Sequence, residues 1–410
     1  MNKKGSYDLP LHYGKVPHWL ALRMEKLAGT IAEEIVSSFG TDGFLSRISN
    51  PDWFQAFSCL LGMDWHSSGS TTTLLFALQK ALQKRQLGIV ICGGRGRFSK
   101  DTPRQLMDVS YRFGADGDEL VKTSRLVAKI DNNCIQDGFS LYLHTFILAD
   151  NGKWCVVQQG MNDEKRMARR YHWLSDSVGD FFSDPHTAII GENEGEIINL
   201  SDSRASASRD SMLDFLIQPP VSQYNELRRI VMPTRHNILP RDINLKRLGA
   251  ILAAAYDKEL KNFADLVLMK NVGPRTMQSL ALVAELVYGN PVRFSDPARF
   301  SFAHGGKDGH PFPVMTCIYD NVIAEMDDIV HKIKLPLELR RPVLKNLHNF
   351  IISIERQKKN IVDFYKVIDY NKKQSMIWGG KTASETLSST YNKSKKIKSY
   401  NDDSQLMLFE

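Results

Sequence analysis

The 410-residue chain has only five cysteines, Cys59, Cys92, Cys134, Cys155 and Cys317, and they are scattered. Their number is odd and no two form a Cys-x-x-Cys pair. That argues against a disulfide framework, a zinc ribbon and an iron–sulfur cluster. No apolar run reaches membrane-spanning length, and Met1–Ser6 leads into no apolar core of signal-peptide length. The sequence therefore predicts a cytoplasmic protein with no membrane partner. Internal repeats are also absent. Charge of one sign is not in large excess: the formal net charge is +7 and the pI about 9.0. Part of that excess lies in Lys381, Lys393, Lys395, Lys396 and Lys398. This balance permits an anionic partner without requiring one.

What is present is an ordinary globular composition, 42% hydrophobic and 24% charged, in a chain long enough for two or three domains. Apolar residues recur at helical spacing from Trp19 to Phe39, and Asn50-Pro51 reads as a helix cap followed by its first residue. Helices are expected near 74–84, 102–113 and 119–130, with a short buried strand over Leu87–Cys92. Phe139–Leu148 and Trp154–Gln159 flank Asp150-Asn151-Gly152, a strong hairpin signal. Residues 191–211 read as an exposed loop or linker. Helices are expected at 211–218, 241–258, 260–270, 274–288, 318–333 and about 337–370. The lysine- and serine-rich stretch 371–404 reads as disordered. The expected fold class is thus an α/β N-terminal part with a small β-sheet (1–190), then an all-α helix-hairpin-helix domain (212–370) and a disordered tail (371–410).

Leu266–Thr276, ahead of the apolar run Leu280–Val287, resembles a helix-hairpin-helix motif. In such a motif a tight turn and the positive end of the second helix present backbone N–H groups to one DNA phosphate. Asn271, Val272, Gly273, Arg275 and Thr276 are the DNA-binding candidates. Pro274 suits the first helical turn. Asn271 stands where a glycine is usual, which Asn tolerates at positive φ. An ordinary helical hairpin closed by Val-Gly-Pro is the alternative.

The resemblance extends to DNA glycosylases of that superfamily. There the second helix leads to Gly-x-Pro and, five residues after the proline, to a catalytic aspartate. Here Gly289-Asn290-Pro291 precedes Asp296, which the resemblance casts as the group stabilising an oxocarbenium-like sugar. The second helix is about one turn longer than usual. Arg275 replaces the Schiff-base lysine of strand-cleaving members, so the resemblance implies base excision without lyase chemistry. A capping role for Asp296-Pro297 competes with this.

Other polar clusters carry less specific chemistry. Ala303–Pro311 holds three glycines with His304, Lys307 and Asp308, candidates for acid/base or phosphate-binding roles near Asp296, but it lacks the spacing of a Walker loop. Asp64–Gly69 reads chiefly as a helix cap, and Gly93–Lys100 as a basic loop suited to phosphates. Ser124, Lys129, Asp131 and Asp137 lie where a nuclease-like centre could assemble, without the Asp…Glu-x-Lys order. Arg169 and Arg170, interleaved with aromatics, suit single-strand or flipped-base contacts as well as a solvated helix face.

The last residues, Gln405-Leu406-Met407-Leu408-Phe409, resemble the Gln-Leu-x-Leu-Phe peptide with which bacterial replication and repair proteins hook onto the sliding clamp. Gln405, Leu406, Leu408 and Phe409 are the implied clamp contacts. Separately, Leu9–Gly14, Trp53–Ala56, Asp64–Gly69, Gln158–Met161 and Ala303–Gly309 together are similar to one bacterial and archaeal family described only as a domain of unknown function, over about residues 5–370. That resemblance implies no activity. Combined, these features predict a nucleoid-associated DNA-binding protein of repair or replication that grips the backbone without regard to sequence, with base excision as its enzymatic version. A metal-dependent nuclease, which would need a divalent cation as cofactor, and a non-catalytic nucleic-acid adaptor are the alternatives. A metabolic enzyme acting on an unrelated substrate is a further class.

Overall fold

The structure is a computed structural model that describes residues 9–10, 16, 18–63, 68–219, 221–223, 245–258, 260–298 and 316–333. The chain divides into two compact units, Met1–Leu87 with Phe300–Glu410, and Gly88–Arg299.

The first unit is helical throughout its longer described stretches: α1 (His18–Ser49), α2 (Pro51–Leu60), α3 (Ser68–Gln83) and a later helix, Thr316–Lys332. Gly40, at φ 72°, breaks α1 into two segments. The expected cap at Asn50 is present: its side chain accepts from the N–H groups of Asp52 and Trp53, and Pro51 takes the first helical position. Ile31, Ile35, Phe44, Phe54, Phe57 and Leu78 are wholly buried, and Glu325 receives Trp53 Nε1–H at 3.1 Å.

The second unit is built on a five-stranded antiparallel sheet. Its strands are β1 (Ile89–Arg95), β2 (Ser140–Ala149), β3 (Trp154–Asn162), β4 (Met167–Leu174) and β5 (Ala188–Ile190), each paired with the next. The β2–β3 hairpin turns at Asp150–Gly152 as the sequence predicts. Between β1 and β2 run α4 (Arg97–Phe113) and α5 (Gly117–Lys129), and α5 ends in one turn of π-helix, Ile130–Cys134. Because side chains alternate along a strand, Phe146, Val156 and Trp173 form a row on the sheet face that packs with Leu126 and Val127 of α5.

The helical remainder of this unit comprises α6 (Ser206–Leu216), α7 (Leu245–Asp257), α8 (Phe263–Leu268) and α9 (Pro274–Tyr288). Two expectations change here. The linker 191–211 is instead folded: it contributes β6 (Glu196–Ile198) and the start of α6, with Leu200, Ala205 and Ser208 fully buried. Polar groups in it bond within the fold, Arg209 donating to the carbonyls of Leu200 and Asp202 at 3.0 and 2.9 Å, so its composition imitates that of a linker. Secondly, the C-terminal half is not all-α, because β7 (Arg293–Ser295) pairs antiparallel with β6.

Candidate functional site

The hairpin candidate joins α8 to α9 through Met269–Gly273. Asn271 takes φ +70°, the left-handed conformation that its short polar side chain tolerates better than most. Gly273 caps α9 in an extended conformation, with Pro274 at the first helical position. The turn is anchored from its carbonyl side. Lys129, at the end of α5, donates its ammonium to the carbonyls of Val267 and Met269 at 2.7 and 2.9 Å and, more weakly, Val272 at 3.4 Å. Burial lowers the Lys129 pKa. Gln136 adds a bond to the Pro274 carbonyl at 3.2 Å.

The outer side is open. Lys270, Asn271, Pro274 and Arg275 are exposed, and a Cβ on Gly273 would meet no atom within 4 Å. Val272 and Thr276, by contrast, are buried. They hold the hairpin to the core, and their N–H groups bond to the carbonyls of Met269 and Gly273 at 3.3 and 3.0 Å, so neither position offers its side chain or its N–H to a phosphate.

The other two DNA-binding candidates, Arg169 and Arg170, are corrected by burial. They are consecutive in β4, so they point to opposite faces of the sheet, and both are fully buried. Arg170 Nε–H donates to His172 Nε2 at 2.8 Å. Arg169 donates to Asp137 Oδ2 (3.0 Å) and by two points to Asp296 (2.7 and 3.1 Å). Tyr171 O–H completes the group on Asp137 at 2.6 Å. Burial raises the Asp137 pKa against the pull of Arg169. Burial opposes the charge on Arg169 too, but the carboxylates of Asp137 and Asp296 outweigh it and raise its pKa. Asp296 also accepts the N–H groups of Glu194 (2.8 Å) and Ala298 (2.9 Å). Its carboxylate is thus saturated inside the fold. His304, Lys307 and Asp308, expected beside it, lie outside the described residues, as do Asp64–Ser67 and the tail residues Gln405, Leu406, Leu408 and Phe409.

The nuclease-like group separates. Lys129 serves the hairpin and Asp137 serves Arg169, while Ser124 and Asp131 join a buried polar chain with residues that the sequence reading did not combine. Gln158 Nε2 faces two acceptors, the Asp131 carboxylate (2.5 Å) and the Val127 carbonyl (3.4 Å). Its Oε1 therefore faces His144 Nδ1 at 2.7 Å, so that nitrogen carries the hydrogen. His144 Nε2 is then left to accept from Ser124 Oγ–H at 2.8 Å. Burial keeps His144 neutral, lowering its pKa to about 4. Asp131, wholly buried on the π-turn, also receives Trp173 Nε1–H (3.0 Å) and faces His186 Nε2 at 2.6 Å. Burial raises its pKa, and His186 is the largest opposing influence. The missed residues are His144, which lies inside an apolar strand, and His186, whose only local signal is the string Asp184-Pro185-His186 in a polar loop.

Among the described residues no group of three His, Cys, Asp or Glu side chains is gathered to hold a metal ion, and no helix is long and apolar enough to cross a membrane. A family model described as "Protein of unknown function (DUF763)" matches residues 5–314, most of the chain, so the chain belongs to that family. No curated protein and no solved structure matches it.

Proposed function

We propose that this member of the DUF763 family is a DNA-binding protein that grips the nucleic-acid backbone through the hairpin Lys270–Thr276. The observation that carries the reading is the combination at one turn of Asn271 at φ +70°, an open Gly273 and the exposed side chains of Lys270 and Arg275 at the start of α9. Backbone N–H groups, the helix dipole and two cations there suit a phosphate and carry no base readout. The proposal is confined to binding. Both oxygens of Asp296 are engaged by Arg169 and by backbone N–H groups, which is the arrangement of a structural carboxylate.

Fluorescence anisotropy with labelled duplex and single-stranded oligonucleotides over a salt series tests it. Arg275→Ala should weaken binding about equally for unrelated sequences and reduce the slope of log K against log salt by about 1. Absence of nucleic-acid affinity at low salt would end the reading. The peptide Gln405–Phe409 is proposed as a clamp tether. Its deletion should abolish binding to a bacterial sliding clamp and leave DNA affinity unchanged.

A further inference from the structure

We propose that the cleft beside His186 is a binding site for a small uncharged or cationic ligand that donates an O–H or N–H hydrogen bond to His186 Nδ1. This site is separate from the hairpin and does not depend on its role.

The cleft, about 170 Å³, is lined by Asp184, His186, Thr187, Asn199 and Ser201, with Ala188, Ile189 and Pro297 as apolar walls. His186 is fixed in it. Its ring lies 4.1 Å from the Trp173 ring, centroid to centroid, and Nε2 is held by Asp131. Asp131 Oδ2 accepts from two obligatory donors, Trp173 Nε1–H and the Gln158 amide, which favour the carboxylate form. The proton between Asp131 and His186 therefore sits on Nε2. Nδ1 is left as a lone pair with no partner among the described residues, which makes it an acceptor.

The electrostatics select the ligand. Asp131 lies behind the imidazole and the exposed Asp184 lines the cleft, both acidic, whereas Arg204 is taken up by Asp202 through contacts of 2.8 and 2.7 Å. Anions are disfavoured and donors favoured. Asn199 Oδ1 is already occupied by Ser201 N–H and Oγ–H, which leaves the amide hydrogens of Asn199 for an acceptor on the ligand. Two local features are of the kind that gathers at binding sites. Asp184 is held at φ +51° by its N–H bond to the Ser201 carbonyl, and Asp131 sits on a π-turn.

The test uses full-length protein labelled with ¹⁵N-histidine, methylammonium as a donor probe and acetate as its anionic counterpart. His186 is assigned through His186→Gln. The neutral imidazole of His186 should be the Nε2–H tautomer, and its Nδ1 signal should shift saturably with methylammonium and not with acetate. Asp131→Asn should keep the fold but reverse the tautomer. The Trp173 and Gln158 donors require the asparagine oxygen, so its NH2 turns toward His186 Nε2 and Nδ1 gains the hydrogen. Methylammonium binding should then weaken about tenfold or more. An Nδ1–H tautomer in the wild type, no response to methylammonium, or an equal response to acetate would overturn the proposal. If Asp131→Asn unfolds, the wild-type tautomer and the methylammonium titration still decide it.

Discussion

Arg169 and Asp296 form a two-point ion pair that is wholly buried, with Nη2–Oδ2 at 2.7 Å and Nη1–Oδ1 at 3.1 Å, across 127 residues of sequence. It fastens the segment after β7 to β4 of the sheet. The same carboxylate that a short motif casts as a catalyst is, in three dimensions, the counter-ion of a buried guanidinium.

Removing Asp296 leaves Arg169 with Asp137 as its single counter-ion and weakens the two-point contact to the guanidinium. Asp296→Asn should therefore lower the unfolding free energy by about 1.5–3 kcal/mol, read as a drop in the urea midpoint. A catalytic aspartate in an open site would be replaced with little loss of stability. An unchanged midpoint would remove the ion pair from the account of the fold.

His144 gives stability a pH dependence whose sign is fixed. Its folded pKa, about 4, lies below the ordinary 6.5. Between those values the unfolded chain binds a proton that the folded chain refuses, so stability increases with pH. The contribution is complete above pH 6.5 and is lost as pH falls to about 4, on the order of 3 kcal/mol. Asp131 and Asp137 act oppositely, since burial raises their pKa and ionising them costs stability as pH rises. Comparing wild type with His144→Gln isolates the histidine. The stability difference between the two should change by about that amount from pH 4 to pH 7, and a constant difference would contradict the assignment.

Asn271 should accept glycine and reject branched residues. Asn271→Gly is expected to leave stability and nucleic-acid affinity near wild type, whereas Asn271→Val places a β-branched residue at φ +70° and should cost about 1–2 kcal/mol or more. Thermal unfolding of the two variants, with anisotropy measured in parallel, separates backbone strain from loss of a side-chain contact.

Lys129 supports the hairpin from behind and makes no contact with its exposed side. Lys129→Met keeps the aliphatic length but strips the carbonyls of Val267 and Met269 of their donor, at a cost of about 1–3 kcal/mol. Because the ammonium is on the inner side, DNA affinity should fall through loosening of the turn while the salt slope stays near that of wild type. A slope reduced as in Arg275→Ala would mean that Lys129 itself meets phosphate.

Much of the fold was legible because its cues are local. The cap at Asn50-Pro51, the turn at Asp150–Gly152, the positive φ of Asn271 and the periodicity of α5 and α9 depend on neighbouring dihedrals, capping and side-chain spacing. A few residues of sequence suffice for each of these. The hairpin candidate belongs to this class.

Burial and partnership belong to the tertiary structure alone. Arg169 and Arg170 read as an exposed basic run, yet strand alternation sends them to opposite faces and two aspartates from distant segments neutralise the first. Residues 191–211 read as a linker because polar groups such as the Arg209 guanidinium are satisfied by bonds that composition cannot display. Asp131 meets His186 across 55 residues only because β4 and the loop after it return past the π-turn. Sequence determined the local conformations and where cations can gather on a turn. Which charges face water was decided by chain closure, since the cost of burying a charge is offset only when a remote partner arrives beside it.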